Sequence, residues 1–169
     1  MKKSSFLLIT LFIVTFSGYS QNSKNVATAD EVGKYSFNVL KNLENTSKEQ
    51  FKNNLLTIEE LKEYVNKYSD SLEEFKEEMN KTDNASYQER VFKVYNEFKE
   101  KEKEFKIVWK DIEYSNFTYD EREEVGLKGI RAKLFFKYKE NEYVVRIAAI
   151  HIKNAYYPLI IRRLRAVSK

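Results

Sequence analysis

The chain has 169 residues, of which 30 are basic and 26 acidic, and its formal net charge is +4. It contains no cysteine and one histidine, which excludes disulfides, iron–sulfur clusters, thiolate zinc sites and any metal site built on two histidines of one chain. Four glycines and one proline leave no Gly-rich phosphate loop, so neither common nucleotide-binding motif is present.

The first twenty residues have the three-part layout of a secretory signal peptide. Lys2 and Lys3 form a basic head, an apolar run broken only by threonine spans 6–16, and Gly18 and Ser20 precede a candidate cleavage site. Such a run is too short to cross a bilayer, which takes about 20 helical residues. We therefore expect export to the periplasm or beyond, and a mature chain without a transmembrane segment. A retained N-terminal anchor is the alternative.

Residues 21–27 read as a polar leader and 28–169 as a single domain. Four stretches of the first half match the capping box, in which a hydroxyl and a glutamate three residues later bond each other's backbone N–H. They begin at Thr28, Thr46, Thr57 and Ser86. Apolar residues then recur at steps of three and four. This predicts about three to four helices, one of them over 58–80 with a notch at 69–71 and another over 87–105.

The hydrophobic period changes from 3.6 to 2 close to Trp109. Ile112 and Tyr114 lie on one parity and Phe117 and Tyr119 on the other, a shift that a β-bulge produces. Further alternating stretches follow at 130–139, 143–152 and 156–166. Four strands joined by short turns predict an antiparallel meander with one wet and one dry face. The predicted fold class is α+β, with the helices packed on one face of a curved four-stranded antiparallel sheet.

This element order resembles the cystatin-like or NTF2-like fold, and in particular small exported bacterial proteins of that group without an assigned activity. The resemblance covers 28–167. Besides element order, it rests on the entry into the sheet at 109–114 (WKDIEY) and on the closing strand at 156–161 (YYPLII). It implies that ligands enter between the concave face and the helices. It also implies dimerisation through the sheet face, using exposed aromatics such as Phe135.

Six aromatic residues in or beside the strands are candidates for lining such a pocket. They are Trp109, Tyr114, Tyr119, Tyr138, Tyr143 and Tyr157. A buried phenol needs a hydrogen-bond partner, so tyrosines favour pocket rims, although a filled core explains the same residues. The leading hypothesis is an exported, non-catalytic domain without a cofactor. It would bind a small apolar or amphipathic ligand, or a protein partner, and no nucleic acid.

An alternative hypothesis is a small hydrolase- or isomerase-like enzyme that uses His151 as a general base. By strand parity His151 shares a face with Tyr143 and lies near the sheet margin. A general base needs a carboxylate to orient its ring, and Asp111 and Asp120 are the candidates. A structural histidine with a hydrogen-bond partner explains the same position.

Charge is divided unevenly along the chain. Residues 21–104 carry 14 basic and 18 acidic side chains, a balance of −4, and residues 105–169 carry 14 and 8, a balance of +6. Arg131, Lys133 and Arg163 are the candidate anion-binding residues on the sheet, for an anionic lipid or glycan of an envelope surface. Packing of the acidic half on the basic half, and edge strands guarded by charge, explain the pattern without a ligand.

Overall fold

Five α-helices precede four β-strands in the computed structural model, which describes residues 24–67, 73–124 and 126–167. The elements are α1 (Ala29–Lys41), α2 (Lys48–Asn53), α3 (Ile58–Lys67), α4 (Glu73–Lys81), α5 (Asn84–Phe105), β1 (Glu113–Glu124), β2 (Leu127–Tyr138), β3 (Asn141–Ile152) and β4 (Ala155–Ala166). Short 3-10 helices lie at Leu43–Asn45 and Trp109–Asp111. The fold class is α+β, as predicted. The predicted signal peptide and the notch at 69–71 lie outside the described residues.

Two of the four predicted capping boxes are confirmed. Thr28 Oγ1 accepts from the Glu31 N–H at 3.3 Å, and Glu31 Oε2 accepts from the Thr28 N–H at 3.0 Å. Thr57 and Glu60 make the same reciprocal pair, at 3.3 and 2.8 Å, at the start of α3. Each pair supplies partners for N–H groups that the first helical turn leaves unpaired.

The other two predicted helix starts were wrong by one and three residues. The Thr46 hydroxyl donates to the carbonyl of Asn42 at 2.7 Å, and Ser47 caps α2 instead. Asp83 caps α5, and the Ser86 hydroxyl donates to its Oδ2 atom at 2.7 Å. In both places a competing short-range hydrogen bond occupies the hydroxyl that the capping pattern assigned to the cap.

The sheet is antiparallel in the order β1-β2-β3-β4. The pairing of β1 with β2 shifts between Tyr114 and Asn116, which confirms the predicted bulge. The pairing of β3 with β4 shifts twice more, between Val144 and Arg146 and between Ala148 and Ala149. Arg163 lies on β4 opposite the shift between Val144 and Arg146, and it has a φ of 60°. Bulges bend a strand and increase its twist, so these shifts account for the curvature of the sheet.

The face of the sheet that carries Leu134, Phe136 and Val145 is here called the inner face, and α1 and α5 pack against it to form the main core. Trp109 lies at its centre, fully buried, with its ring centroid 6.1 Å from Phe98 and 6.0 Å from Phe136. The change of hydrophobic period at Trp109 therefore marks the passage from the helical layer into the sheet.

The opposite face, here called the outer face, is covered at one end by α3. Leu127, Ile150 and Ile152 share the parity of the exposed outer-face residues, yet they are buried in a second core. The α3 residues in this core are Ile58, Leu61 and Val65. α3 reaches these outer-face residues because the chain runs along the β4 edge before α3 begins. There the Leu56 N–H donates to the carbonyl of Pro158 at 2.7 Å.

Candidate functional site

The candidate site lies on the part of the outer face that α3 leaves uncovered. The strand register places Thr118 opposite Lys133, Lys133 opposite Arg146, and Arg146 opposite Arg162. We call Lys133, Arg146 and Arg162 the cation row, and all three are exposed. Since neighbouring strands lie about 4.8 Å apart, the row places three positive side chains across about 10 Å of backbone.

The cation row is not neutralised by any carboxylate that the structure describes. Within the described ranges, no carboxylate lies at ion-pair distance from Lys133, Arg146 or Arg162. The helical half contains ion pairs, for example between Lys99 and Glu102 at 2.6 Å. Like charges directly opposite each other destabilise a sheet, so the row is an electrostatically unfavourable arrangement in the unliganded protein.

The rows on either side combine cations with apolar side chains. One row runs Asp120, Arg131, Ala148 and Ile160, and the other runs Asn116, Phe135, Val144 and Arg165. Phe135, Val144 and Ile160 are half-buried. We call the five basic residues of the three rows, together with these three apolar residues, the cationic face. A shallow groove of about 720 Å³ lies over the part of this face formed by Arg131, the cation row and Ile160.

The predicted anion-binding residues divide between two places. Arg131 and Lys133 lie on the cationic face, as their shared parity predicts. Arg163 does not, because the bulge at its positive φ places it in a separate groove beside Glu97 and Glu100 of α5. Arg165, which the register places opposite Val144 on the outer face, also borders this groove. Arg146 and Arg162 complete the row instead. The sequence places Arg146 and Arg162 on the two neighbouring strands, but only the register shows that they stand in line with Lys133.

The six candidate pocket aromatics are not brought together. Trp109, Tyr138 and Tyr143 are packed in the main core, with 0, 7 and 3 % of their surface exposed. Tyr114 and Tyr119 are exposed on β1. Tyr157 lies in the second core under α3 and its hydroxyl accepts from Asn25 Nδ2 at 3.0 Å. A ligand pocket between sheet and helices stays a prediction.

His151 lies on the inner face near the β3–β4 turn, with its ring centroid 4.7 Å from that of Tyr156. Neither candidate carboxylate lies beside it. Asp120 is on the outer face opposite Arg131, and Asp111 precedes β1 at the other end of the sheet. Glu121 shares the inner face. Burial, and then the charge of Glu121, raise the pKa of Tyr156.

No protein-family model, curated protein or solved structure matches this chain. The resemblance to the cystatin-like and NTF2-like fold therefore stays a prediction. In the ranges that the structure describes, no helix combines the length and apolar character that crossing a membrane requires. The same ranges hold no cluster of three or more acidic or histidine side chains that could bind a metal ion.

Proposed function

We propose that this protein is an exported, non-catalytic binding domain that holds a polyanionic ligand on its cationic face. The cation row carries the proposal, because three positive side chains stand directly opposite one another and none of them has a carboxylate at ion-pair distance in the part of the chain that the structure describes. Export rests on the predicted signal peptide.

A polyanion bound across the row would relieve the repulsion that the fold builds in. Arg146 and Arg162 present planar guanidinium groups, which bind carboxylate, sulfate or phosphate through two parallel hydrogen bonds. Lys133 adds a third positive charge, and Arg131 in the adjacent row stands opposite Asp120. Free energy that is unfavourable in the unliganded protein thereby becomes part of the binding free energy.

Two other hypotheses remain open but have less support. A small apolar ligand would find the main core filled around Trp109, whose ring is fully buried against Phe98 and Phe136. An enzyme based on His151 would need a carboxylate to orient the ring, and Asp111 and Asp120 lie elsewhere. The cationic face, by contrast, is exposed and accessible.

The test is binding of a fluorescent heparin fragment to the purified protein at low and moderate salt. We expect Arg146→Gln to weaken binding about five- to tenfold, since an exposed charge-assisted contact is worth roughly 1–1.4 kcal/mol. The matched control is Lys34→Gln, which also removes one positive charge. Lys34 is exposed on α1, and α1 packs on the inner face, opposite the cationic face. Equal losses in the two variants, or no binding by the wild type at low salt, would refute the proposal.

A further inference from the structure

We infer that the polyanion is the head-group layer of an anionic phospholipid bilayer, an inference that rests on the proposed function. The cations of the face are distributed in two dimensions. Arg131, the cation row and Arg165 occupy three successive rows over three strands. These rows span about 14 Å along the strands, and the four strands span a similar distance across. A bilayer surface presents its phosphates in two dimensions in the same way.

Apolar side chains between the cations distinguish this face from a glycan site. Phe135 and Val144 flank the cation row on one side and Ile160 on the other, each half-buried and half-accessible. Surfaces that combine basic and apolar side chains bind at the boundary between head groups and acyl chains. The cations contact phosphates there, and the apolar groups leave water.

A glycan site needs neutral donors and acceptors for sugar hydroxyl groups. On this face, among the residues that the structure describes, amide and hydroxyl side chains are confined to β1, at Asn116 and Thr118. The exposed outer-face positions of β2, β3 and β4 beside the cation row carry basic or apolar side chains. The side-chain chemistry therefore fits lipid phosphates better than a polysaccharide.

The face has a boundary at each end. Towards the β3–β4 turn it ends where α3 covers Ile150 and Leu127. Towards the β2–β3 turn the next row carries a net negative charge, because Lys137 stands between Glu113 and Glu142. The bilayer would contact the surface between these limits, with the sheet tilted so that α3 points away from the membrane.

The experiment compares vesicle flotation with heparin binding at the same salt concentration. Vesicles of phosphatidylcholine mixed with phosphatidylglycerol are expected to bind the protein, and vesicles of phosphatidylcholine alone are not. Arg146→Gln should weaken both vesicle and heparin binding about fivefold, the usual effect of one cation at an anionic surface. Phe135→Gln should weaken vesicle binding to a similar extent and leave heparin binding within about twofold. Phe92→Gln, at a half-buried phenylalanine on α5, is the matched control.

A second readout does not depend on the stability of Phe135→Gln. Phe135→Trp places an indole on the cationic face, while Trp109, the one native tryptophan, is fully buried. Its emission should shift to shorter wavelength on anionic vesicles and be quenched by brominated acyl chains. Heparin binding without vesicle binding, or vesicle binding without such quenching, overturns the lipid assignment and leaves the proposed function intact. If the protein binds neither heparin nor anionic vesicles, both the lipid assignment and the proposed function are overturned.

Discussion

Removing a charge from the centre of the cation row should stabilise the fold while it weakens binding. Arg146 stands between Lys133 and Arg162, so Arg146→Gln removes two repulsive interactions at once. Most substitutions destabilise a protein. An increase in the free energy of unfolding, combined with weaker ligand binding, would therefore indicate that the row serves binding rather than stability.

The magnitude follows from the strand geometry. Long side chains on adjacent strands hold their charges roughly 7 Å apart, and two unit charges at that distance in water repel by about 0.6 kcal/mol. Screening at physiological ionic strength, where the Debye length is about 8 Å, reduces this to about 0.25 kcal/mol. Two neighbours together give about 0.5 kcal/mol, which in a domain of this size raises Tm by about 1–2 °C. At low salt the effect should approach twice that value.

The assay is thermal and urea denaturation of the wild type, Arg146→Gln and Arg146→Lys at two salt concentrations. Arg146→Lys keeps the charge and should leave the free energy of unfolding close to that of the wild type. A destabilised Arg146→Gln variant, or a stabilisation that does not fall as salt rises, would show that the three cations do not repel each other as the register implies.

Two further predictions concern hydrogen bonds of the helical layer. Trp109 donates from Nε1 to Glu102 Oε2 at 2.7 Å, so Glu102→Ala leaves a buried N–H unpaired and should cost about 1–3 kcal/mol in urea denaturation. Burial raises the pKa of Tyr87 to about 12, while an unfolded tyrosine titrates near 10. Its contribution to stability is complete below pH ~10 and should fall by about 1.4 kcal/mol per pH unit as pH rises towards 12, and Tyr87→Phe should remove this contribution to the alkaline slope.

Controls separate these effects from general loss of packing. Glu104→Ala breaks an exposed ion pair with Lys101 and should change stability by less than about 1 kcal/mol. An equal loss in Glu102→Ala would show that the indole hydrogen bond contributes nothing beyond surface charge. Tyr35 has a pKa also raised to about 12 by burial, so Tyr87→Phe should keep part of the alkaline slope. An unchanged slope in Tyr87→Phe would contradict the assignment.

Local sequence patterns correctly predicted the features that depend on a single helix or strand. The change of period at Trp109 predicted the order of helices and strands, and the parity shift after Tyr114 predicted the bulge that the register confirms. Thr28 and Thr57 predicted two helix starts correctly. Each of these signals depends on residues a few positions apart, whose side-chain directions the backbone geometry determines.

Contacts between segments that are distant in the sequence could be identified only from the folded structure. Sequence alone determined that α-helices precede a four-stranded antiparallel sheet and that basic residues occupy its wet face. Tertiary structure alone decided that Arg146 and Arg162 align with Lys133, that the bulge at Arg163 turns this residue towards α5, and that α3 packs on the outer face. The physical reason is that alternation of side chains is a property of each strand. Which residues meet depends on turn lengths, bulges and the route that the chain takes around the sheet edge.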